Sequence, residues 1–340
     1  MMVIGHMRSS SAAGGPHTVY KEIHGILKKE GYLIRPFICS SGAAKAYHES
    51  RKESYIELTH YYRSRSAWSV RRLRQLWPAG LKAMIVHKPL DAWTVRQAVP
   101  DCQIVLVLHD YYQQECLHCA DIIVAVSDSV AAWAKQYASC QIQVIYHIGT
   151  YPPDQDVITR DVLQFGFLGS FRRTKGLVEL IQALRHTRGE YHVTISGKGS
   201  LKHYLRFACW WYGLDQVTIT GWVDQVAEWY KDIDVLLLPS RSETFGLVLI
   251  EAMCRSKYVI ASNVGGPSEI VSQGHTGYLV KPRSPMDLAR AIQYVIDHPQ
   301  EIRAIREHVR EITQKNFKPE KMGDKWRDVA RQLVSQECVD

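Results

Sequence analysis

The sequence predicts an α/β protein built from two doubly wound, Rossmann-like domains, and three observations predict it. In the second half, short apolar runs alternate with longer amphipathic segments, the pattern of a parallel sheet with helical crossovers. The first half repeats the scheme less clearly. Between them, GTYPPDQD at 149–156 packs glycine, two prolines and two acids into a break. A chain of 340 residues suits two domains of ~150 each. The expected division is 1–150 and 151–317, with a final segment, 318–340, that packs back on the first domain. Two such domains would face each other across a cleft, the default place for a ligand.

In order along the chain, a glycine turn at Gly14–Gly15 leads into a helix over 16–30. Strands are expected at 32–38, 83–87, 103–108, 121–126 and 142–146. Residues 40–60 are read as a loop with a short strand. In the second half, strands fall at 164–169, 191–196, 216–220, 234–238, 257–262 and 278–280. Helices fall at 175–186, 200–212, 224–231, 246–254, 267–272 and 285–297, and Trp210 and Trp211 on the second of these are expected to pack the second domain. PEKMGDKWRDVARQL, 319–333, is an isolated amphipathic helix after the last strand.

Composition narrows the class. Apolar residues make up 46% and charged residues 22%, ordinary for a globular protein. Runs such as IVLVL at 104–108 are far short of the ~18 apolar residues that span a bilayer. MMVIGHMRSSSAAGG lacks an apolar core of signal-peptide length, so a cytoplasmic location is expected. Eight cysteines are too sparse for a disulfide scaffold. Cys116 and Cys119 flank His118, but no second such pair completes a zinc site; packed thiols are expected. Net charge is +8, and RSRSAWSVRRLRQLW (63–77) holds five arginines and no acid. As a helix it places Val70, Leu73 and Trp77 on one side. That suits contact with an anionic membrane, or a solvated basic helix packed by its apolar stripe. No nucleic-acid motif accompanies the charge.

The stretch that carries chemistry is SRSETFGLVLIEAM, 240–253. The run IDVLLLP before it reads as a buried strand closed by proline. Glu243 then sits in the loop at the carboxyl end of a strand, and Glu251 about two turns into the next helix, at ~3.6 residues per turn. Free amides of Phe245, Gly246 and Leu247 at the helix start would form an anion site. Two acids beside an anion site suit a ligand with a phosphate and many hydroxyls, as in a sugar nucleotide. Alone, the pair could be a loop acid and a first-turn acid favoured by the helix dipole.

Four segments together resemble the retaining glycosyltransferases of the GT-B fold, the large family 4 group: FGFLGSFRRTKGLVELIQAL, ISGKGSLKHYL, GWVDQVAEWYKDIDVLLLPSRSETFGLVLIEAM and VIASNVGGPSEIVSQGHTGYLV. In the first half the likeness rests on Gly14–Gly15 and on a strand ending in His109–Asp110. The resemblance implies that Glu243 holds hydroxyls of the donor sugar, that Glu251 takes the ribose hydroxyls, and that Lys175 contacts the diphosphate. It places the amides of Phe245–Leu247 against the sugar and diphosphate. Gly14 and Gly15 would let backbone approach the diphosphate, and His109 would sit near the reacting sugar. The last helix of this fold crosses back onto the first domain.

The chain departs from the family where an arginine usually follows the glycine: Ser170 stands there. Arg172 and Arg173 follow, and Arg173 is the expected substitute. Tyr146-His147-Ile148-Gly149 and Arg255-Ser256-Lys257-Tyr258 also differ from the family pattern, which puts base recognition and local packing in question.

Breaking the bond between the anomeric carbon and phosphate builds charge on the diphosphate. Lys175, an arginine and helix N-termini stabilise it more as the bond stretches. No Asp-x-Asp cluster stands ready for a divalent metal, so no metal and no cofactor are expected. The expected activity is hexosyl transfer with retention from a nucleotide-sugar donor, UDP favoured and GDP next, to a saccharide or lipid-linked acceptor in glycan synthesis. The location is then cytoplasmic, peripheral on the membrane through 63–77. An epimerase or phosphorylase of the same fold, or a basic membrane-docking protein without catalysis, are the alternatives.

Overall fold

The computed structural model of the chain describes residues 3–10, 15–58, 65–111, 114–148 and 160–335. Gly14 and the break at 149–156 lie outside the described residues. The chain divides into two units, Met1–Ile148 with Pro319–Asp340, and Gly149–Lys318.

The first unit holds β1 (Val3–Arg8), β2 (Leu33–Cys39), β3 (Ile56–Leu58), β4 (Ala83–Val86), β5 (Gln103–Leu108), β6 (Ile122–Ala125) and β7 (Gln141–Val144). They form one parallel sheet in the order β3-β2-β1-β4-β5-β6-β7. Strand β1 was not expected, because His6 and Arg8 interrupt its apolar pattern. It lies in the middle of the sheet, in register with Leu33–Ile38 of β2 and with Ala83–Val86 of β4. His6 is fully buried there because its polarity is met: its Nε2 lies 2.8 Å from Nε2 of His87, and its ring stacks on Tyr20. The helices Ala43–Ser50, Pro89–Ala98 and Asp128–Ala134 also went unread.

The second unit holds β8 (Leu163–Ser170), β9 (Tyr191–Lys198), β10 (Val217–Ile219), β11 (Val235–Leu238), β12 (Tyr258–Ser262) and β13 (Gly277–Val280). This sheet is also parallel, ordered β10-β9-β8-β11-β12-β13. Each expected strand is present. β11 and β12 are buried at every position, as a strand covered on both faces must be. Two further helices, Pro299–Ala304 and Arg306–Asn316, follow the expected Pro285–Asp297. Arg306 fastens the last of them to the sheet through a buried ion pair with Asp234, whose other carboxylate oxygen accepts the Gln164 amide at 2.9 Å.

In both sheets the strand order reverses once, at the neighbours β1 and β4 and at β8 and β11. The crevice beyond the carboxyl ends of such strands is where open α/β sheets bind ligands. The helix Pro319–Ser335 returns to the first unit and packs on the helix Gly15–Lys29. Trp326, Val329 and Leu333 are buried there, and Lys325 Nζ donates to the carbonyl of Val144 at 2.9 Å.

Candidate active site

The carboxyl ends of β8, β11 and β12 carry three loops that lock together through backbone. After β8, Arg173–Lys175 form one turn of 3-10 helix, and Gly176 then takes φ +70° to start the helix Leu177–Leu184. A Cβ at Gly176 would lie 1.7 Å from the carbonyl oxygen of Pro239, so only glycine lets this loop meet the end of β11. The expected helix over 175–186 is therefore split at Gly176. After β12, Gly266 lies so close to Phe245 that a Cβ would sit 2.3 Å from its Cα, and its amide donates to the carbonyl of Glu243 at 3.2 Å.

This packing brings together residues 68 positions apart. Lys175 Nζ donates to Glu243 Oε2 at 2.5 Å, and the Ser240 hydroxyl donates to the same oxygen at 3.1 Å. Both of these contacts fall on Oε2 of Glu243. Gly246, at φ +90°, caps the helix Leu247–Met253, and Phe245 beside it is buried. Glu251 receives the Tyr230 hydroxyl at 3.1 Å, a hydroxyl equally near the carbonyl of Val248. Burial pushes the Glu251 carboxyl up, against the pull of Tyr230 and Arg255.

A second ion pair holds the loops, and nothing in the sequence pointed to it. Arg241 Nε donates to the nearly buried Glu179 at 2.7 Å, while the Arg241 amide donates to the carbonyl of Thr174 at 2.8 Å. Glu179 in the helix after β8 and Arg241 in the loop after β11 thus fix Lys175 against Glu243. Arg172 and Arg173 are both exposed in the β8 loop, as the substitution at Ser170 requires if either is to reach a ligand.

In the first unit, Gly15 begins the helix Gly15–Lys29. His109, just past β5, is buried among other imidazoles. Its Nε2 and Nδ1 of His87 lie 2.8 Å apart and share one hydrogen, and its ring stacks with His147. Burial, then His147 and Arg8, hold its pKa well below the ordinary value, so it is neutral near pH 7 and cannot act as an acid there. Asp91, also buried, takes the Ser9 hydroxyl at 2.8 Å, and burial pushes its pKa up to about 6.

Two expectations change. The stripe Val70, Leu73 and Trp77 does not form an outward face: in the helix Ala67–Leu76, Leu73 is fully buried and Trp77 Nε1 donates to the carbonyl of Leu81 at 2.9 Å. Arg74 is spent on the carbonyls of Ala98 and Gln97, which end the neighbouring helix. Second, Trp210 and Trp211 do not pack the second unit; they are 74% and 65% exposed. Cys116 and Cys119 are buried free thiols in a 3-10 helix whose His118 is exposed. Among the described residues, the grouping that could hold a metal is His24, His48 and Glu53, in the first unit.

With the geometry in place, the likeness to known proteins becomes specific. Residues 154–315 match the family described as Glycosyl transferases group 1. The second unit is a group 1 glycosyl transferase domain. An uncharacterized glycosyltransferase of Methanocaldococcus jannaschii is 30% identical over 182 residues, 53% of this chain and 48% of its own. The chain thus spans about half or less of the curated relatives it matches. Sucrose-phosphate synthase of Thermosynechococcus elongatus has the same fold, with a TM-score of 0.83 at 21% identity, covering 99% of this chain and 100% of that one. So does Anabaena HepE, solved with UDP-glucose, at a TM-score of 0.81 and 19% identity over 98% of this chain and 100% of its own. The chain therefore has the GT-B fold. No helix among its described residues is long and apolar enough to cross a membrane.

Proposed function

We propose that this protein is a retaining glycosyltransferase that moves a hexose from a nucleotide-sugar donor, a UDP-sugar before a GDP-sugar, to a saccharide or lipid-linked acceptor. The observation that carries the reading is the Lys175–Glu243 pair, held at 2.5 Å where the strand order of the second sheet reverses. It is a cation and an acceptor side by side, one for phosphate and one for sugar hydroxyls. The family match and the UDP-glucose bound to HepE favour a nucleotide-sugar over other phosphate esters.

In this reading Glu243 fixes the sugar and Glu251 the ribose, while the amides of Phe245 to Leu247 line the sugar and diphosphate. As the bond from the anomeric carbon to the phosphate oxygen lengthens, charge grows on the diphosphate, and Lys175, with Arg173 beside it, stabilises that charge. The acceptor oxygen bonds to the anomeric carbon on the face the diphosphate leaves, and the departing phosphate oxygen takes the acceptor's proton. His109, neutral and hydrogen-bonded, positions rather than ionises. No step requires a metal.

A thermal-shift screen against UDP, GDP, ADP and their sugar conjugates tests the reading, first without metal and then with magnesium. A ligand at ~100 times its dissociation constant adds ~2.7 kcal/mol. The expected result is a shift with UDP and its conjugates that magnesium does not increase. Absence of a shift with every nucleotide overturns it.

A further inference from the structure

The helix Lys202–Trp211 turns its aromatic side outward. Leu205, Ala208 and Cys209 face the domain and are buried. At ~100° per residue, Tyr204, Phe207, Trp210 and Trp211 fall on the opposite arc. Phe207 is 56% exposed, and its ring lies 5.8 Å from Trp210 and 5.9 Å from Trp211. Three contiguous rings exposed to this degree present on the order of 400 Å² of aromatic surface. Patches of that size on a soluble domain mark interaction sites. Folding does not explain them, since the inner face alone joins the helix to its sheet.

The surroundings say what covers the patch. From Tyr191 to Leu214 there is no acid, while Lys198, Lys202 and Arg206 supply positive charge. Arg185 lies over the ring of Tyr212, 4.0 Å from its centroid, next to Trp211. An outward face of Trp, Tyr and Phe with Lys and Arg at its margin suits the boundary between headgroups and acyl chains. Indole and phenol rings are at home there, and anionic headgroups meet the cations. A second copy of the chain is disfavoured by area, because a stable dimer buries about 800 Å² on each partner.

We infer that the outward face of the helix Lys202–Trp211 docks the protein on an anionic lipid bilayer, with Phe207, Trp210 and Trp211 inserted at the headgroup level. This places membrane contact on the second unit rather than on the basic helix Ala67–Leu76. It is independent of the transferase reading, because lipid binding needs neither donor nor acceptor.

The test is vesicle flotation of the full chain with phosphatidylcholine alone and with phosphatidylglycerol added, alongside a triple variant, Phe207→Ser with Trp210→Ser and Trp211→Ser. These side chains are exposed, so the variant should fold, and a thermal melt verifies it. The expected result is flotation that rises with phosphatidylglycerol, a blue shift of tryptophan fluorescence on binding, and at least a tenfold loss in the triple variant. Arg206→Glu, which keeps all the rings, should lose the preference for phosphatidylglycerol. Equal flotation of wild type and triple variant overturns the inference, as does absence of flotation with either lipid. Self-association without vesicles, abolished by the triple variant while vesicles are ignored, also overturns it and assigns the face to a second copy.

Discussion

The two units share one topology and differ in what fills it. In the first, His6, His17, His24, His48, His87, His109 and His147 are all buried. In the second, His186, His192, His203, His275, His298 and His308 are all exposed. The first sheet is wound around a polar network: His6, His87 and His109 linked at 2.8 Å each, then Tyr20, whose hydroxyl lies 2.8 Å from His48 Nε2. Glu53 ends it, 2.7 Å from His48 Nδ1 and 3.3 Å from His24 Nε2. The second unit has an apolar core in which Phe165, Phe167 and Tyr258 lie among aliphatic side chains, and it buries no histidine among its described residues. A doubly wound fold therefore does not dictate the chemistry of its core. It dictates where the strand ends are, and each unit spends that edge differently.

Acid should separate the units most sharply. Burial lowers these seven buried histidines of the first unit, His17 and His24 to about 4 and His147 to about 3. A folded pKa below the unfolded value of about 6.5 means that the unfolded chain binds more protons. The stability this confers is fully present above pH 6.5 and is lost as pH falls toward 4. Each histidine that must be neutral to fold removes about 1.4 kcal/mol per pH unit in that window. Hydrogen exchange at pH 7 and pH 5 should show the first unit losing several kcal/mol, its β1 and β4 peptides above all, while β11 and β12 stay protected. Equal loss in both units would show that the imidazole network is not what distinguishes them.

On the second unit's side, Glu243→Ala should reduce the transfer rate on the order of 10²–10³-fold with folding intact, the usual cost of one preorganised transition-state contact. Steady-state kinetics with a thermal melt as control checks it; near-normal turnover would remove Glu243 from the chemistry. Arg241→Met comes next. It leaves the Glu179 carboxylate buried without its partner, at a cost of about 2 kcal/mol in unfolding free energy. It also loosens the loop that carries Lys175, so KM for the donor should rise. A change in stability with no change in KM would reduce the pair to scaffolding.

The same contrast governs what could be read from the sequence. Strands β8 to β13 were legible because each is an apolar run closed by a turn, and the position of Glu243 in a loop at a strand end because the apolar run of β11 stops just before it. β1 was not legible, since VIGHMR looks polar until His87 and Tyr20 are known to meet it from residues 81 and 14 positions away. Tertiary pairing, not local pattern, makes that segment a central strand. The basic helix misled for the converse reason. Its apolar stripe was read correctly as a stripe, but periodicity does not say whether a domain or a membrane receives it. The outward rings of Lys202–Trp211 were missed on the same ground: tryptophan is assumed to pack until burial is seen.

The finest test of the second unit is Tyr230→Phe. The Tyr230 ring is fully buried, and phenylalanine keeps that packing while removing only the hydroxyl that lies 3.1 Å from Glu251 and 3.1 Å from the carbonyl of Val248. One such hydrogen bond is worth about 1 kcal/mol. If the hydroxyl aims Glu251 at the ribose, its loss should raise KM for the donor several-fold, leave kcat unchanged, and weaken UDP and a UDP-sugar alike. That split separates a group that binds the invariant nucleotide from one that acts on the breaking bond, where Glu243 should lower kcat instead. If Tyr230→Phe lowers kcat with KM unchanged, Glu251 belongs with the reacting sugar, and the division of labour between the two acids must be reversed.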